Sequence, residues 1–161
     1  MTGEGAAHGR LVAVEIDPAS LRPVRSFIDE ERAAAVRDLI ADNVFDPVAT
    51  TGETFRLLLS LADGKLVLDL ASEDGAPLAR HILSLTPLRR VVKDYFMICE
   101  AYNRAAHGEA PVHIEAIDVG RRGLHNEGAE ILKERLSPRI SVDFPTARRL
   151  FTLVCSLYWK G

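Results

Sequence analysis

The sequence predicts an α+β fold: an antiparallel sheet of three or four strands, with about four helices packed mainly on one face of the sheet. Three observations lead to this prediction. Short apolar runs flank two Asp-Gly pairs in the first half of the chain. Apolar residues recur at spacings of three and four in four longer segments. The chain has 161 residues, of which 47% are hydrophobic and 27% charged, and this is typical of one globular domain with a substantial core.

The first predicted element is a strand over residues 10–17, where apolar side chains alternate and Pro18 ends the run. Residues 1–9 are mostly small and polar, which predicts a mobile tail. The chain contains no linker-like or repetitive tract. The domain is therefore expected to cover residues 10–161.

The second predicted element is a helix that begins with Ser26 as its N-cap and runs to about Asn43. Its first turns are acidic, which suits the positive end of a helix dipole. The acidic residues are Asp29, Glu30 and Glu31. Asp46-Pro47 is interpreted as part of the exit from this helix.

Three strands over residues 54–61, 66–70 and 78–85 are predicted to form an antiparallel meander. Asp63-Gly64 lies between the first two and matches the positive backbone angles of a type I′ turn. Asp74-Gly75 separates the second strand from the third. We expect the first strand of the chain to join this meander at one edge.

The rest of the chain is predicted to be mainly helical, which gives the order β-α-β-β-β-α-α-α. Thr86 is the predicted N-cap of the next helix, with Pro87 in its first turn. Residues 140–142 are either an extended connector or an edge strand. Asp143 and Pro145 start the last helix.

Two arginines near the start of that last helix, Arg148 and Arg149, are unfavourable against the helix dipole unless they meet negative charge. One possible source is the acidic side of the preceding helix, with Glu127, Glu130 and Glu134. The other is a bound anion. The sequence leaves both open.

The stretch 112–136 predicts a long amphipathic helix with charge on its apolar face. Helical spacing places Arg121 in the middle of the apolar stripe, with Asp118 one turn before it and His125 one turn after it. Arg122 falls at the edge of the stripe. A guanidinium is costly to bury unless it is paired and hydrogen-bonded, so this arrangement requires an explanation.

Two explanations stand side by side. In the structural one, Asp118 and Arg121 form an ion pair that also bonds to a neighbouring element, and His125 is a satisfied core histidine. In the functional one, this face lines a pocket, Arg121 and Arg122 bind an anionic group, and His125 titrates near neutral pH.

Three glycines inside this helix bear on the same question, because each costs about 1 kcal/mol relative to alanine in a helix interior. Gly128 points along the apolar stripe, where it would admit a close backbone or a ligand. Gly120 and Gly123 bracket the two arginines. Residues 120–123 are therefore also compatible with a break between two shorter helices.

Composition excludes some classes of function. The net charge of -3 gives no electrostatic footprint for nucleic acid, so a role for Arg89, Arg90, Lys93 and Arg104 in binding it is the weakest hypothesis. No apolar run is long enough for a membrane span or a signal peptide. The two cysteines, Cys99 and Cys155, fall on apolar helix faces and suit reduced thiols. We therefore expect a cytoplasmic protein that binds neither nucleic acid nor membrane.

Sequence motifs give no catalytic signature. The chain has no phosphate loop, no GxGxxG after a strand and no GxSxG elbow, so no cofactor is predicted. A metal site would need ligands such as Glu115, Asp118 and His125, but their spacing is not that of HExxH and an arginine lies among them. We predict no metal.

At GRRGLHNEGAEILKERL and DFPTARRLFTLVCSLYW the chain resembles an uncharacterised family of short bacterial proteins of about this length. The resemblance covers almost the whole chain after residue 10, and the blocks 118–136 and 143–159 are its most specific features. It implies a complete, single-domain bacterial protein. The family has no established activity, so the resemblance assigns no catalytic or binding residue.

Two functions follow from these residues. The absence of catalytic motifs, together with the apolar helices, favours a non-enzymatic module that binds a partner protein, a second copy as a homodimer, or a small ligand. The alternative is an enzyme or binder for a phosphorylated or carboxylated metabolite. Its ligand-binding residues would be Arg121, Arg122 and His125, and the catalytic candidates are His125 and Asp118. The sequence does not decide whether the protein is an enzyme.

Overall fold

A computed structural model describes residues 8–21, 26–48, 53–108 and 113–158. Within them it contains four α-helices, a four-stranded sheet and a two-stranded sheet, which confirms the predicted α+β class. Two short 3₁₀ turns complete the regular structure. The elements in chain order are β1 (Arg10–Ile16), α1 (Ser26–Ala41), β2 (Phe45–Pro47), β3 (Thr54–Ala62), β4 (Lys65–Ser72), β5 (Pro77–Ser84), α2 (Arg89–Ala106), α3 (Ile114–Leu136), β6 (Ile140–Val142) and α4 (Phe144–Tyr158).

The main sheet is mixed, with strand order β1-β3-β4-β5. The antiparallel β3-β4-β5 meander and the edge position of β1 are as predicted. The expectation of a purely antiparallel sheet is wrong, because β1 runs parallel to β3. A parallel pair needs a long crossover connection, and the segment containing α1 provides one here.

The turn between β3 and β4 follows the predicted chemistry. Asp63 has φ 54° and Gly64 has φ 72°, the positive values that a type I′ turn requires at both central positions. Ala62 pairs with Lys65 directly beside the turn. Local turn chemistry therefore sets the register of this hairpin.

The core lies between the helices and one face of the main sheet. Alternate residues of β3 and β4 are buried there, including Leu57, Leu59, Leu66 and Leu68. The opposite face of the sheet leaves large apolar side chains exposed among charged ones. The exposed apolar residues on these strands are Leu58, Leu78 and Ile82. Packing mainly on one face is therefore as predicted.

Strands β2 and β6 form a separate antiparallel pair, with Phe45 opposite Val142 and Pro47 opposite Ile140. The interpretation of residues 46–47 as a helix exit is wrong, and the open question about residues 140–142 is resolved as a strand. Each strand has only three residues. Such short runs carry no periodicity, and only the long-range pairing identifies them.

The predicted N-terminal tail is only partly described, since residues 1–7 lie outside the described ranges. Gly9 is buried. Its N–H donates to the Asp46 carboxylate, and its carbonyl oxygen accepts a hydrogen bond of 2.9 Å from the N–H of Phe45. Gly9 is thus bonded to the β2 segment.

The helix ends agree only in part with the predicted caps. Helix α4 is capped by Asp143, whose Oδ1 accepts from the N–H of Thr146 at 3.0 Å, as predicted. The predicted N-cap Thr86 is wrong, since residues 86–88 form a 3₁₀ turn and α2 begins after it. Leu85 occupies the cap position of that turn without a side-chain bond. A 3₁₀ turn and the first turn of an α-helix can both begin with Thr-Pro, so the sequence does not distinguish between them.

Asn43 joins α1 to β1. Its Oδ1 accepts a 2.7 Å bond from the N–H of Leu11, and its Nδ2 donates to the carbonyl oxygens of Leu11 at 2.9 Å and Leu39 at 2.7 Å. Both Asn43 and Leu11 are buried. The amide therefore satisfies backbone groups that water does not reach.

Asn43→Ala is expected to lower the free energy of unfolding by about 2 kcal/mol, because the buried N–H and C=O of Leu11 lose their partner. Denaturant unfolding measures the change. Asn126→Ala, at an exposed position of α3, is the matched control and should stay within about 0.5 kcal/mol of the wild type. Equal effects of the two substitutions would contradict the assignment.

Candidate functional site

Helix α3 is continuous from Ile114 to Leu136, so the alternative of a break at residues 120–123 is wrong. Its predicted first residues, 112 and 113, do not extend it: 112 lies outside the described residues, and His113 precedes the helix with φ 65°. Because the helix is unbroken, its apolar stripe and the charges within it share one face. That face packs against α2 and α4.

A cleft of about 340 Å³ opens among the helices, next to the middle of α3. All four helices contribute to it, with Tyr95 as the lining residue from α2. We call its four guanidinium groups the arginine wall: Arg121, Arg122, Arg148 and Arg149. We call the two carboxylates on α1 the acidic wall: Glu31 and Asp38.

The structure brings Arg121, Arg122 and His125, the predicted ligand-binding residues, to this one cleft. Asp118 does not line the cleft, but its carboxylate contacts both Arg121 and Arg122. Its Oδ1 accepts from Nε of Arg121 at 3.2 Å, and its Oδ2 lies 3.2 Å from Nη2 of Arg122. The ion pair of the structural explanation and the pocket of the functional one therefore coexist.

Arg121 also stacks on α2, with its guanidinium carbon 4.5 Å from the ring centre of Tyr102. This is a cation–π contact, and it supplies the bond to a neighbouring element that the structural explanation required. The side chain of Arg121 keeps 26% of its surface exposed. It is a positioned charge at the surface of the cleft.

The two arginines of α4 differ from each other. Arg149 donates from Nη1 to the carbonyl oxygen of Asp42 at 3.0 Å, which links the start of α4 to the end of α1. Arg148 is exposed, and within the described ranges no carboxylate forms an ion pair with it. The suggested carboxylate Glu127 pairs with Arg90. No described carboxylate therefore provides the negative charge for Arg148, and a bound anion stays a prediction.

His125 lies at the inner end of the cleft, with 9% of its surface exposed. The rings of Tyr95 and Phe151 contact it edge-on, at centroid distances of 5.3 and 5.2 Å. Its Nε2 is 2.8 Å from Oγ1 of Thr152, whose hydroxyl in turn donates to the carbonyl oxygen of Arg148. This chain of bonds makes Nε2 the protonated nitrogen and leaves Nδ1 buried without a partner.

Burial, followed by the positive charges of Arg148 and Arg121, lowers the pKa of His125 to about 4. The expectation that His125 titrates near neutral pH is therefore wrong. The imidazole is neutral at pH 7 and adds no positive charge to the cleft. Its apolar neighbours and these two guanidinium groups all disfavour the protonated form.

Glu31 and Tyr95 are among the lining residues that were not predicted as site residues. The Tyr95 hydroxyl donates to Oε1 of Glu31 at 3.5 Å. Burial raises the pKa of Glu31, while the charge of Arg121 and the Tyr95 hydrogen bond partly oppose that rise. Glu31 and Asp38 lie seven residues apart on α1, and alanines occupy the positions between them that face the cleft. That small-residue face was the signal available in the sequence.

The other catalytic candidate, Asp118, is an unsuitable proton donor. The hydrogen bond from Arg121, and then the charges of Arg121 and Arg122, lower the pKa of its carboxyl. Burial raises the pKa of the Cys99 thiol to about 12, and it also raises that of Cys155. Both thiols are free and buried. They lack the properties of activated nucleophiles.

Two further searches cover the described parts of the chain. No group of three or more His, Cys, Asp or Glu side chains there is placed to hold a metal ion. No helix among the described residues combines the length and the hydropathy that crossing a membrane requires.

The fold and the site together define an α+β protein with an arginine-lined cleft among its helices. The chain belongs to UPF0262, an uncharacterised protein family whose model matches residues 8–160. A UPF0262 protein of Mesorhizobium japonicum is 54% identical over 162 residues, which is 100% of both chains. One of Rhizobium etli is 59% identical over 134 residues, covering 83% of this chain and 85% of its own. No solved structure gives a significant match.

Proposed function

We propose that this protein is a small-ligand-binding module of the cytoplasm, and that the arginine wall binds the phosphate or carboxylate of a metabolite. The observation that carries the proposal is the Arg148 guanidinium, which forms no ion pair with a described carboxylate and lines the cleft with three further arginines. The cleft is lined by four arginines but only two carboxylates, in a chain whose net charge is -3. Guanidinium groups match the geometry of phosphate and carboxylate oxygens.

The side chains in and beside the cleft favour binding over catalysis. His125 is neutral and buried, Asp118 is bound to two arginines, and both cysteines have raised pKa values. An enzyme acting on the same metabolite remains the alternative, with Glu31 as the group most able to exchange a proton, since burial raises its pKa.

A role in protein interaction is a second candidate. The outer face of the sheet exposes Leu58, Leu78 and Ile82 among charged side chains. The apolar faces of the helices, in contrast, are mostly used in the core. A homodimer or a protein partner stays a prediction, and this sheet face favours it more than the helices do.

Arg148→Gln is expected to weaken binding of inorganic phosphate, sulfate or citrate by about tenfold or more, because a charge-assisted hydrogen bond contributes about 1.5–3 kcal/mol. Titration calorimetry measures the affinity, and anion-dependent thermal stabilisation gives an independent readout. Arg121→Met should remove the same stabilisation while the protein still folds.

Arg104→Gln is the matched control, because Arg104 is exposed near the end of α2 and does not line the cleft. It should bind anions like the wild type. If no phosphate, sulfate or carboxylate raises the melting temperature of the wild-type protein, the proposed function is wrong.

A further inference from the structure

The cleft is lined by charges of both signs that come from different helices. Helix α1 presents the acidic wall, Glu31 and Asp38, with Ala34 and Ala35 between them. Ala34, Ala35 and Asp38 follow Glu31 by three, four and seven residues, so all four residues share one face of the helix. Helices α3 and α4 present the arginine wall. A ligand in this cleft would therefore meet both signs of charge.

The two walls do not pair with each other. In the described portion of the chain no ion pair joins Glu31 or Asp38 to an arginine of the arginine wall. Arg121 and Arg122 pair with Asp118 of their own helix instead. Charges of both signs thus line the same cleft without a direct ion pair between the two walls among the described residues.

Glu31 is the more buried of the two carboxylates in the acidic wall. The Tyr95 hydroxyl holds Oε1 at 3.5 Å, and Arg121 acts on this carboxylate without forming an ion pair with it. Burial disfavours the ionised form of Glu31 when no cation is bound. An ammonium group beside it would give Glu31 the direct ion pair that no described residue provides.

The cleft suits a small ligand. Its volume of about 340 Å³ lies at the low end of the roughly 300–1,000 Å³ that small-molecule sites have. Apolar lining is limited to Ala34, Ala35, Pro145 and the Tyr95 ring. The charged lining of the cleft favours a compact polar molecule.

From these observations we infer that the ligand is a small zwitterion, with its phosphate or carboxylate on the arginine wall and its protonated amine on the acidic wall. This inference rests on the proposed function for the anionic end. The amine end is new and depends on Glu31 and Asp38. The inference assigns the ligand to the class of amino acids and phosphorylated amines.

The test compares matched probes by titration calorimetry at pH 7: phosphoethanolamine with ethyl phosphate, and glutamate with glutarate. In at least one pair we expect the amine-bearing member to bind about tenfold tighter or more, which a charge-assisted bond of 1.5–3 kcal/mol predicts. Glu31→Gln should abolish that preference and leave the amine-free probe bound equally or more tightly. Glu30→Gln, an exposed carboxylate of the same helix, should keep the preference.

The possible outcomes separate the two proposals. Equal affinity within both pairs, or a preference that persists in Glu31→Gln, would overturn the zwitterion and leave anion binding in place. No binding of any probe, including inorganic phosphate, would overturn both. Should Glu31→Gln fail to fold, Asp38→Asn at the exposed end of the acidic wall takes its place, with a reduced preference expected.

Discussion

Gly128→Ala is expected to lower the free energy of unfolding by about 3 kcal/mol or more, at the upper end of overpacking effects. A Cβ at this position would lie 2.2, 2.3 and 2.6 Å from three ring atoms of Phe151. That ring is fully buried and is itself flanked by Tyr95 and His125. The ring has no open space into which to move, so the cost exceeds the roughly 1 kcal/mol that alanine gains in helix propensity.

The matched control for this prediction is Gly123→Ala in the same helix, where an added Cβ meets nothing within 4 Å. It should raise stability by up to about 1 kcal/mol. Denaturant unfolding of the two variants gives the comparison. Phe151→Leu combined with Gly128→Ala should recover part of the loss, because it removes the ring. Similar stabilities of the two single variants would show that α3 and α4 are not in this close contact.

The unfolding free energy is expected to fall by about 3 kcal/mol between pH 7 and pH 4 because of His125 alone. Its folded-state pKa is about 4, against an ordinary value of 6.5. As the pH falls below 6.5, the His125 imidazole becomes protonated in the unfolded chain, whereas in the folded state it stays neutral until about pH 4. Stability is therefore lost across that window. Each pH unit within the window contributes about 1.4 kcal/mol.

Glu31 acts in the opposite direction. Its pKa is raised in the folded state, so the folded protein takes up this proton at a higher pH than the unfolded chain does, and acid stabilises it through this group. The wild-type slope therefore contains opposing contributions from several groups, including Asp118, whose lowered pKa makes acid destabilising. Comparing the wild type with a variant that lacks the histidine isolates the contribution of His125 to the pH dependence of stability.

Equilibrium unfolding of wild-type protein and of His125→Gln, in steps from pH 7 to pH 4, measures the effect. The stability difference between the two should shift by about 3 kcal/mol in favour of the variant as the pH falls. Asn126→Ala, at an exposed position of the same helix as His125, changes no titratable group and should run parallel to the wild type. Parallel curves for His125→Gln and wild type would mean that the imidazole is accessible to protons in the folded state.

Much of the local structure was predictable because it depends on neighbouring residues. The Asp63-Gly64 hairpin and the Asp143 cap both follow from backbone preferences at single positions. Arg121, Arg122 and His125 share a face because they share one helix, so their common cleft was a sound prediction once α3 was assumed continuous. The group that packs against Gly128 was not predictable. It is the Phe151 ring, rather than a backbone segment or a ligand.

The residues that complete the cleft come from other helices, and no pattern in the sequence relates them to α3. Glu31 was interpreted only as a favourable charge near a helix start, although it faces Arg148 and its neighbours across the cleft. The low pKa of His125 also escaped prediction, because it depends on burial by Tyr95 and Phe151. Desolvation is a property of the surrounding structure rather than of the spacing along one helix.

By itself, the sequence of this protein determined its helices, its β3-β4-β5 meander and the cluster of charge on α3. These depend on periodicity and turn chemistry over a few residues. Only the tertiary structure decided that β1 is parallel to β3, that β2 pairs with β6, and that Glu31 and Arg148 meet at one cleft. The reason is that these contacts join residues far apart in the chain, and their energy comes from burial and charge that exist only after the helices have packed.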